Sequence, residues 1–199
     1  MKNLTTHFTN ITKGVSDSRP ILQGINYNKE AGVMAATDSH RLLYFKSEQI
    51  PATYVQNPLT LDFLDGHYPD VTRLLSLSGN NVQFDPKDIT PQLIALLKAM
   101  KTDVIEIKIQ ADILSFHKEK EGSFFSIGLQ SKAPENEIIA ANAKYVLQGL
   151  QLVVDAYKYH TKEDITFNYS SPVRPFTFRT TCYDYLITPI RCKPLISVS

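Results

Sequence analysis

Three stretches of this 199-residue chain carry an apolar stripe at helical spacing, and each is followed by about three short runs of β-branched and aromatic residues. Leu4, Phe8, Ile11 and Val15 fall at i, i+4, i+7 and i+11, which predicts a helix from about Asn3 to Val15. Thr90 followed by Pro91 is an N-cap and first-turn signal, with Leu93, Leu96, Leu97 and Met100 as the buried face behind it. Asn142 is placed to cap a third helix striped by Val146, Leu150, Val153, Val154 and Tyr157. Strands are expected at Ile21 to Tyr27, Gly32 to Ala36, Leu42 to Lys46, Val104 to Ile109, Ile113 to His117, Phe124 to Leu129, Ile165 to Asn168, Phe176 to Arg179 and Tyr183 to Ile187. Turn-forming clusters separate them at Asn28 to Gly32, Lys118 to Gly122 and Ser170 to Pro172. The unit of one helix and about three strands recurs at Leu4–Tyr44, Thr90–Leu129 and Asn142–Ile187, in pattern and not in identity. Such a unit buries one helix face on one sheet face and leaves a sheet edge to be joined, so the units should associate side by side. The expected class is α+β, built from repeated helix-plus-antiparallel-sheet units.

Composition limits what such a fold can do. With 43% hydrophobic residues the chain can bury a real core, as one or two domains by length. No run approaches the roughly 18 apolar residues needed to span a bilayer, and Met1-Lys2-Asn3-Leu4 is not the start of a secretion signal, so a cytoplasmic location is expected. Cys182 and Cys192 are too far apart for a metal knuckle and are expected as free thiols. The 21 basic and 20 acidic residues are interspersed, so whole-molecule attraction to phosphates is slight. That argues against a tight, sequence-reading DNA binder.

Catalytic and metal readings find little support. Asp38, Ser39, His40 and Arg41 resemble an acid–base or nucleophile cluster, but adjacent side chains at a strand end diverge. A polar knot there is usually a turn that satisfies its own backbone groups. His7, His67, His117 and His160 are isolated, without a histidine or carboxylate at ligand spacing. Gly24, Gly32 and Gly66 are single turn glycines rather than a phosphate loop, so no cofactor or metal is expected.

Four islands carry a family resemblance: Arg19 to Tyr44, with Ala36-Thr37-Asp38-Ser39-His40-Arg41-Leu42 at its centre; Phe63 to Leu75, with Asp65-Gly66-His67-Tyr68-Pro69-Asp70; Asn142 to Leu147; and Leu186-Ile187-Thr188-Pro189-Ile190-Arg191. In this order they resemble the middle and C-terminal domains of the bacterial sliding clamp, the beta subunit of DNA polymerase III. Ser39 stands where that family has Gly, and Thr188 where it has Met. The resemblance implies a DNA-clamp-like fold, with residues 1–78 as a partial middle-like domain and 79–199 as a C-terminal-like domain. It implies a non-catalytic processivity factor that tethers DNA polymerase and other DNA-processing enzymes through an apolar cleft for short linear peptides.

Carried over by position, that peptide site uses Leu22, Thr37, His40, Arg41, Leu42, Pro69, Arg73, Leu74, Asn142, Tyr145, Val173, Leu186, Thr188, Pro189, Ile190 and Arg191. Helices would line a channel for double-stranded DNA, met without sequence preference by Lys13, Lys98, Lys101, Lys144 and Lys158 off the apolar stripes. With about three of the ring's twelve units per chain, a closed homo-oligomer would need about four copies. The alternative is a clamp-derived peptide-binding adaptor or decoy that does not encircle DNA.

Overall fold

The computed structural model describes residues 4–75, 78–100, 104–110, 113–120, 123–130, 137–159, 163 and 165–191. Lys101, His160 and Cys192 lie outside these residues, whereas Cys182 is a free thiol. In chain order the elements are α1 (Leu4–Thr12), β1 (Ile25–Asn28), β2 (Val33–Thr37), β3 (Arg41–Lys46), β4 (Tyr54–Gln56), β5 (Asn80–Phe84), α2 (Pro91–Ala99), β6 (Val104–Gln110), β7 (Ile113–Lys120), β8 (Ser123–Gln130), β9 (Glu137–Asn142), α3 (Ala143–Tyr159), β10 (Ile165–Tyr169), β11 (Phe176–Arg179) and β12 (Tyr183–Ile187). Each helix is therefore followed by three strands, though one further strand follows β3 and another precedes each of α2 and α3. Two compact units divide the chain: Met1–Ser76 with Arg179–Leu186, and Leu77–Phe178 with Ile187–Ser199.

In the first unit the strand order is β4-β1-β2-β3-β12. Ala35 of β2 lies opposite Asn26 of β1 on one side and Tyr44 of β3 on the other. The helix α1 packs on β2 and β3 and buries His7, Phe8, Ile11 and Thr12. It ends at Thr12 rather than Val15, because the next amides turn back in short steps, Gly14 N to Ile11 O and Val15 N to Thr12 O. Phe8, Ile11, Ile25, Ala36, Leu42 and Leu43 form the centre of this core.

The strand expected from Ile21 to Tyr27 is corrected. Pro20–Gln23 is a single 3-10 turn, and pairing begins only at Ile25. Pro20 fixes its own φ in the helical range, which starts the turn. Gly24 then brings the backbone so close to β4 that an added Cβ would lie 2.5 Å from Val55 Cγ1. Beyond β4, a tight hairpin closed by Asn57 N to Asp62 O holds Leu59, Leu61 and Phe63 in solvent.

The second unit has a four-stranded antiparallel sheet in the order β8-β7-β6-β9, and a run β11-β10-β5. The helices α2 and α3 pack on one another. Thr90 Oγ1 accepts the Leu93 amide at 3.2 Å, an N-cap formed as its residue type dictates. Asn142 Oδ1 accepts the Lys144 amide at 2.9 Å in the same role for α3. The predicted stripes are narrower in fact: Leu96, Val154 and Tyr157 are half-buried, while Leu152 and Ala156, outside the predicted stripe, are buried. Phe84, Phe167, Phe176 and Phe178 pack as rings, with Phe167 and Phe176 centroids 5.3 Å apart.

Candidate functional site

The turn joining β2 to β3 gathers a set of fixed polar groups in the first unit. Asp38 Oδ1 accepts the amides of His40 and Arg41, each at 3.0 Å. Thr37 Oγ1 accepts the Ser39 amide at 3.1 Å and donates to the Arg41 carbonyl at 2.7 Å. The knot thus satisfies its own backbone, which fixes the path of the chain from which its side chains project.

Arg41 is the anchor. Its Nε donates to Asp38 Oδ2 at 2.8 Å, and Nη2 donates to the carbonyl of Asn10 at 2.7 Å, one of the open acceptors near the end of α1. Arg41 and Asp38 keep only 2% and 7% of their side-chain surface exposed. Burial works against the Arg41 charge, but Tyr185 and Asp38 more than offset it and hold the guanidinium above its ordinary value.

The segment from Asp65 to Leu75 is tied to the same turn. Tyr68 is buried, and its hydroxyl accepts the Thr37 amide at 3.1 Å. Burial pushes the phenol far above its usual range, so it stays neutral at any working pH. The next residue, Pro69, is exposed and borders a hollow of about 240 Å³ also lined by Val33, Ala35, Tyr44 and Val71.

Of the residues assigned to a peptide site, Leu22, Thr37, His40, Arg41, Leu42, Pro69, Arg73, Leu74 and Leu186 belong to the first unit, and Asn142, Tyr145, Val173, Thr188, Pro189, Ile190 and Arg191 to the second. Their exposure sorts them. His40, Pro69, Arg73, Leu74, Val173, Thr188 and Arg191 are exposed, and Asn142, Tyr145, Pro189 and Ile190 are half-buried. Leu42 has no exposed surface, so the direct contact expected of it is corrected to a core role. Leu22, Thr37, Arg41 and Leu186 are also buried. Arg73 reaches Asp70 only loosely, at 3.7 Å. Lys13, Lys98, Lys144 and Lys158 are all exposed.

Sequence reasoning missed a polar cluster inside the second unit. Ser115 Oγ and His117 Nε2 are 2.5 Å apart, and Glu106 lies opposite His117 in the β6–β7 register. His117 is therefore not isolated from carboxylates, as its sequence position suggests. Serine, histidine and carboxylate are the parts of a hydrolytic triad. Here they are 7%, 8% and 1% exposed, which leaves a substrate no approach. Among the described residues no group of three His, Cys, Asp or Glu side chains is placed to hold a metal.

Burial, and then the Lys108 charge, hold the His117 pKa below its ordinary 6.5. The folded state therefore prefers neutral imidazole. Its contribution to stability is complete above about pH 6.5 and is lost as pH falls from there toward the lower folded value. Urea midpoints should drop between pH 7.5 and pH 5.5 by more in the wild type than in His117→Gln; equal drops would contradict this.

The sequence matches no family model and no curated protein. Solved structures do resemble the chain. The DNA polymerase sliding clamp from Bacillus subtilis matches 96% of it at 22% identity with a TM-score of 0.75. The DNA polymerase III beta chain from Streptococcus pneumoniae matches 96% at 21% identity and 0.73. The sliding clamp from Bartonella birtlesii, solved bound to griselimycin, matches 96% at 14% identity and 0.68. The chain spans 62%, 63% and 65% of those three proteins. Its fold is α+β and clamp-like, and no described helix is long and apolar enough to cross a membrane.

Proposed function

We propose that the chain is a clamp-like DNA polymerase processivity factor, acting in the cytoplasm, that holds DNA-processing enzymes by short linear peptides. The observation that carries this reading is the clamp fold over 96% of the chain together with a rigid β2–β3 turn at the residues the family resemblance assigns to peptides. The chemistry suits the role. His40 and Arg73 present polar groups, Leu74 and Pro69 present apolar surface, and Tyr68 fixes Pro69 beside an apolar hollow. We propose peptide contacts also for Asn142, Tyr145, Val173, Thr188, Pro189, Ile190 and Arg191, and a division into residues 1–78 and 79–199.

Duplex DNA would be met, in the same reading, by Lys13, Lys98, Lys101, Lys144 and Lys158, in a homo-oligomer of about four copies. Near-neutral overall charge fits a protein that holds DNA by enclosing it rather than by many phosphate contacts. The reading is tested by titrating the chain with a peptide that has Gln near its start and Leu and Phe at its end. Binding in the micromolar range is expected, about −8 kcal/mol. Absence of binding at high micromolar concentration would remove the reading and leave a shared fold.

A further inference from the structure

Ser39 is held at φ 74°, the left-handed region where a residue with a Cβ carries steric strain and glycine does not. It is exposed, so core packing does not require a side chain there. What the side chain does is accept a hydrogen bond from Arg19 Nη1 at 2.5 Å.

Arg19 is itself fixed at the backbone. Its amide donates to Ser16 O at 2.9 Å and its carbonyl accepts from Leu22 N at 3.0 Å. Neither nearby carboxylate pairs with its guanidinium: Asp38 is engaged by Arg41, and Asp17 accepts from Gln23 Nε2 at 2.8 Å. Among the described residues, then, Nη1 is occupied by a neutral hydroxyl while the edge formed by Nε and Nη2 stays open. That edge is the one which receives a carboxylate in two parallel hydrogen bonds. Arg19 stands three residues before Leu22, and the serine it donates to immediately precedes His40, with Arg19, Ser39 and His40 all exposed.

We propose that Ser39 is a positioning residue, holding Arg19 to receive the terminal carboxylate of a peptide that ends at its apolar anchor. This rests on the peptide-binding reading above and adds a preference to it. Strain is retained at Ser39 because a glycine would release Arg19 into a flexible, fully solvated side chain.

Calorimetry with two forms of one peptide tests it, Gln near the start and Leu and Phe at the end, closed by a free carboxylate or by a carboxamide. The wild type should bind the carboxylate form about tenfold more tightly. Arg19→Ala should bring the ratio to about one. Ser39→Gly should narrow the ratio to about two- or threefold while raising the melting midpoint by about 2 to 4 °C through relief of strain. Ser39→Ala, which keeps the strain and removes the hydroxyl, should narrow the ratio without that rise. A purely structural serine would change stability and leave the ratio at its wild-type value, which would overturn the proposal. Equal binding of both forms by the wild type would overturn it and leave the peptide-binding reading standing. Failure of both forms to bind would overturn both.

Discussion

Replacing Arg41 by alanine is expected to lower the stability of the first unit by about 3 to 5 kcal/mol, the usual consequence of removing one partner from a buried ion pair. The mechanism is specific. Asp38, 7% exposed, loses the cation that its Oδ2 faces, and the Asn10 carbonyl loses a donor at the end of α1. Asp38 still accepts two turn amides, so the anion is not free to swing into water. Urea unfolding followed by circular dichroism checks this. The double variant Asp38→Asn with Arg41→Ala should recover part of the loss, because a neutral amide in that place avoids the buried charge. A single-variant loss below about 1 kcal/mol would mean that the pair is solvated and that the turn is not built around it.

Tyr68→Ala should cost a similar amount, about 3 to 5 kcal/mol, as large aromatic truncations in a core do. Tyr68 is 8% exposed and is the point where the segment carrying Pro69, Arg73 and Leu74 is fastened to β2. Tyr68→Phe separates the two parts of the effect. It keeps the ring and leaves the buried Thr37 amide without its acceptor, which should cost about 1 to 3 kcal/mol. If Tyr68→Phe were neutral, the hydroxyl would not be the fastening group, and the segment would be held by apolar contact alone.

Much of the fold is legible because local signals and tertiary packing agree. Thr90-Pro91 caps and starts α2 by side-chain and ring chemistry that needs no distant partner. The three stripes become α1, α2 and α3 for the same reason. The three missed strands lack such agreement. β4 is only three residues long, and β5 opens with Asn80-Asn81, residues poor in intrinsic strand preference. β9 contains Ala140-Ala141 and runs straight into α3. Each is made a strand by its partner, as Asn81 is by Asn168, whose Nδ2 donates to the Asn81 side-chain oxygen at 2.8 Å.

The site is half legible. The Asp38 turn can be read from residue types, since Thr and Asp oxygens bind amides two or three positions on. Depth cannot: nothing at Leu42 distinguishes a surface leucine from one with no exposed area. Nor can register, which is why Glu106 and His117, eleven positions apart, give no sign of facing each other. Arg19 and Ser39, twenty apart, meet only through the folded path of the 3-10 turn.

The central claim is that a linear peptide is held at the residues presented by the β2–β3 turn and the segment after Tyr68. Calorimetric titration of the Gln-to-Leu-Phe peptide into His40→Ala, Leu74→Ala and Lys98→Ala tests it most directly, because all three side chains are exposed and their loss leaves the core intact. A micromolar affinity that falls roughly tenfold in His40→Ala and in Leu74→Ala, and is unchanged in Lys98→Ala, is the predicted result. Equal affinities for Leu74→Ala and Lys98→Ala, or no binding by the wild type, would contradict it.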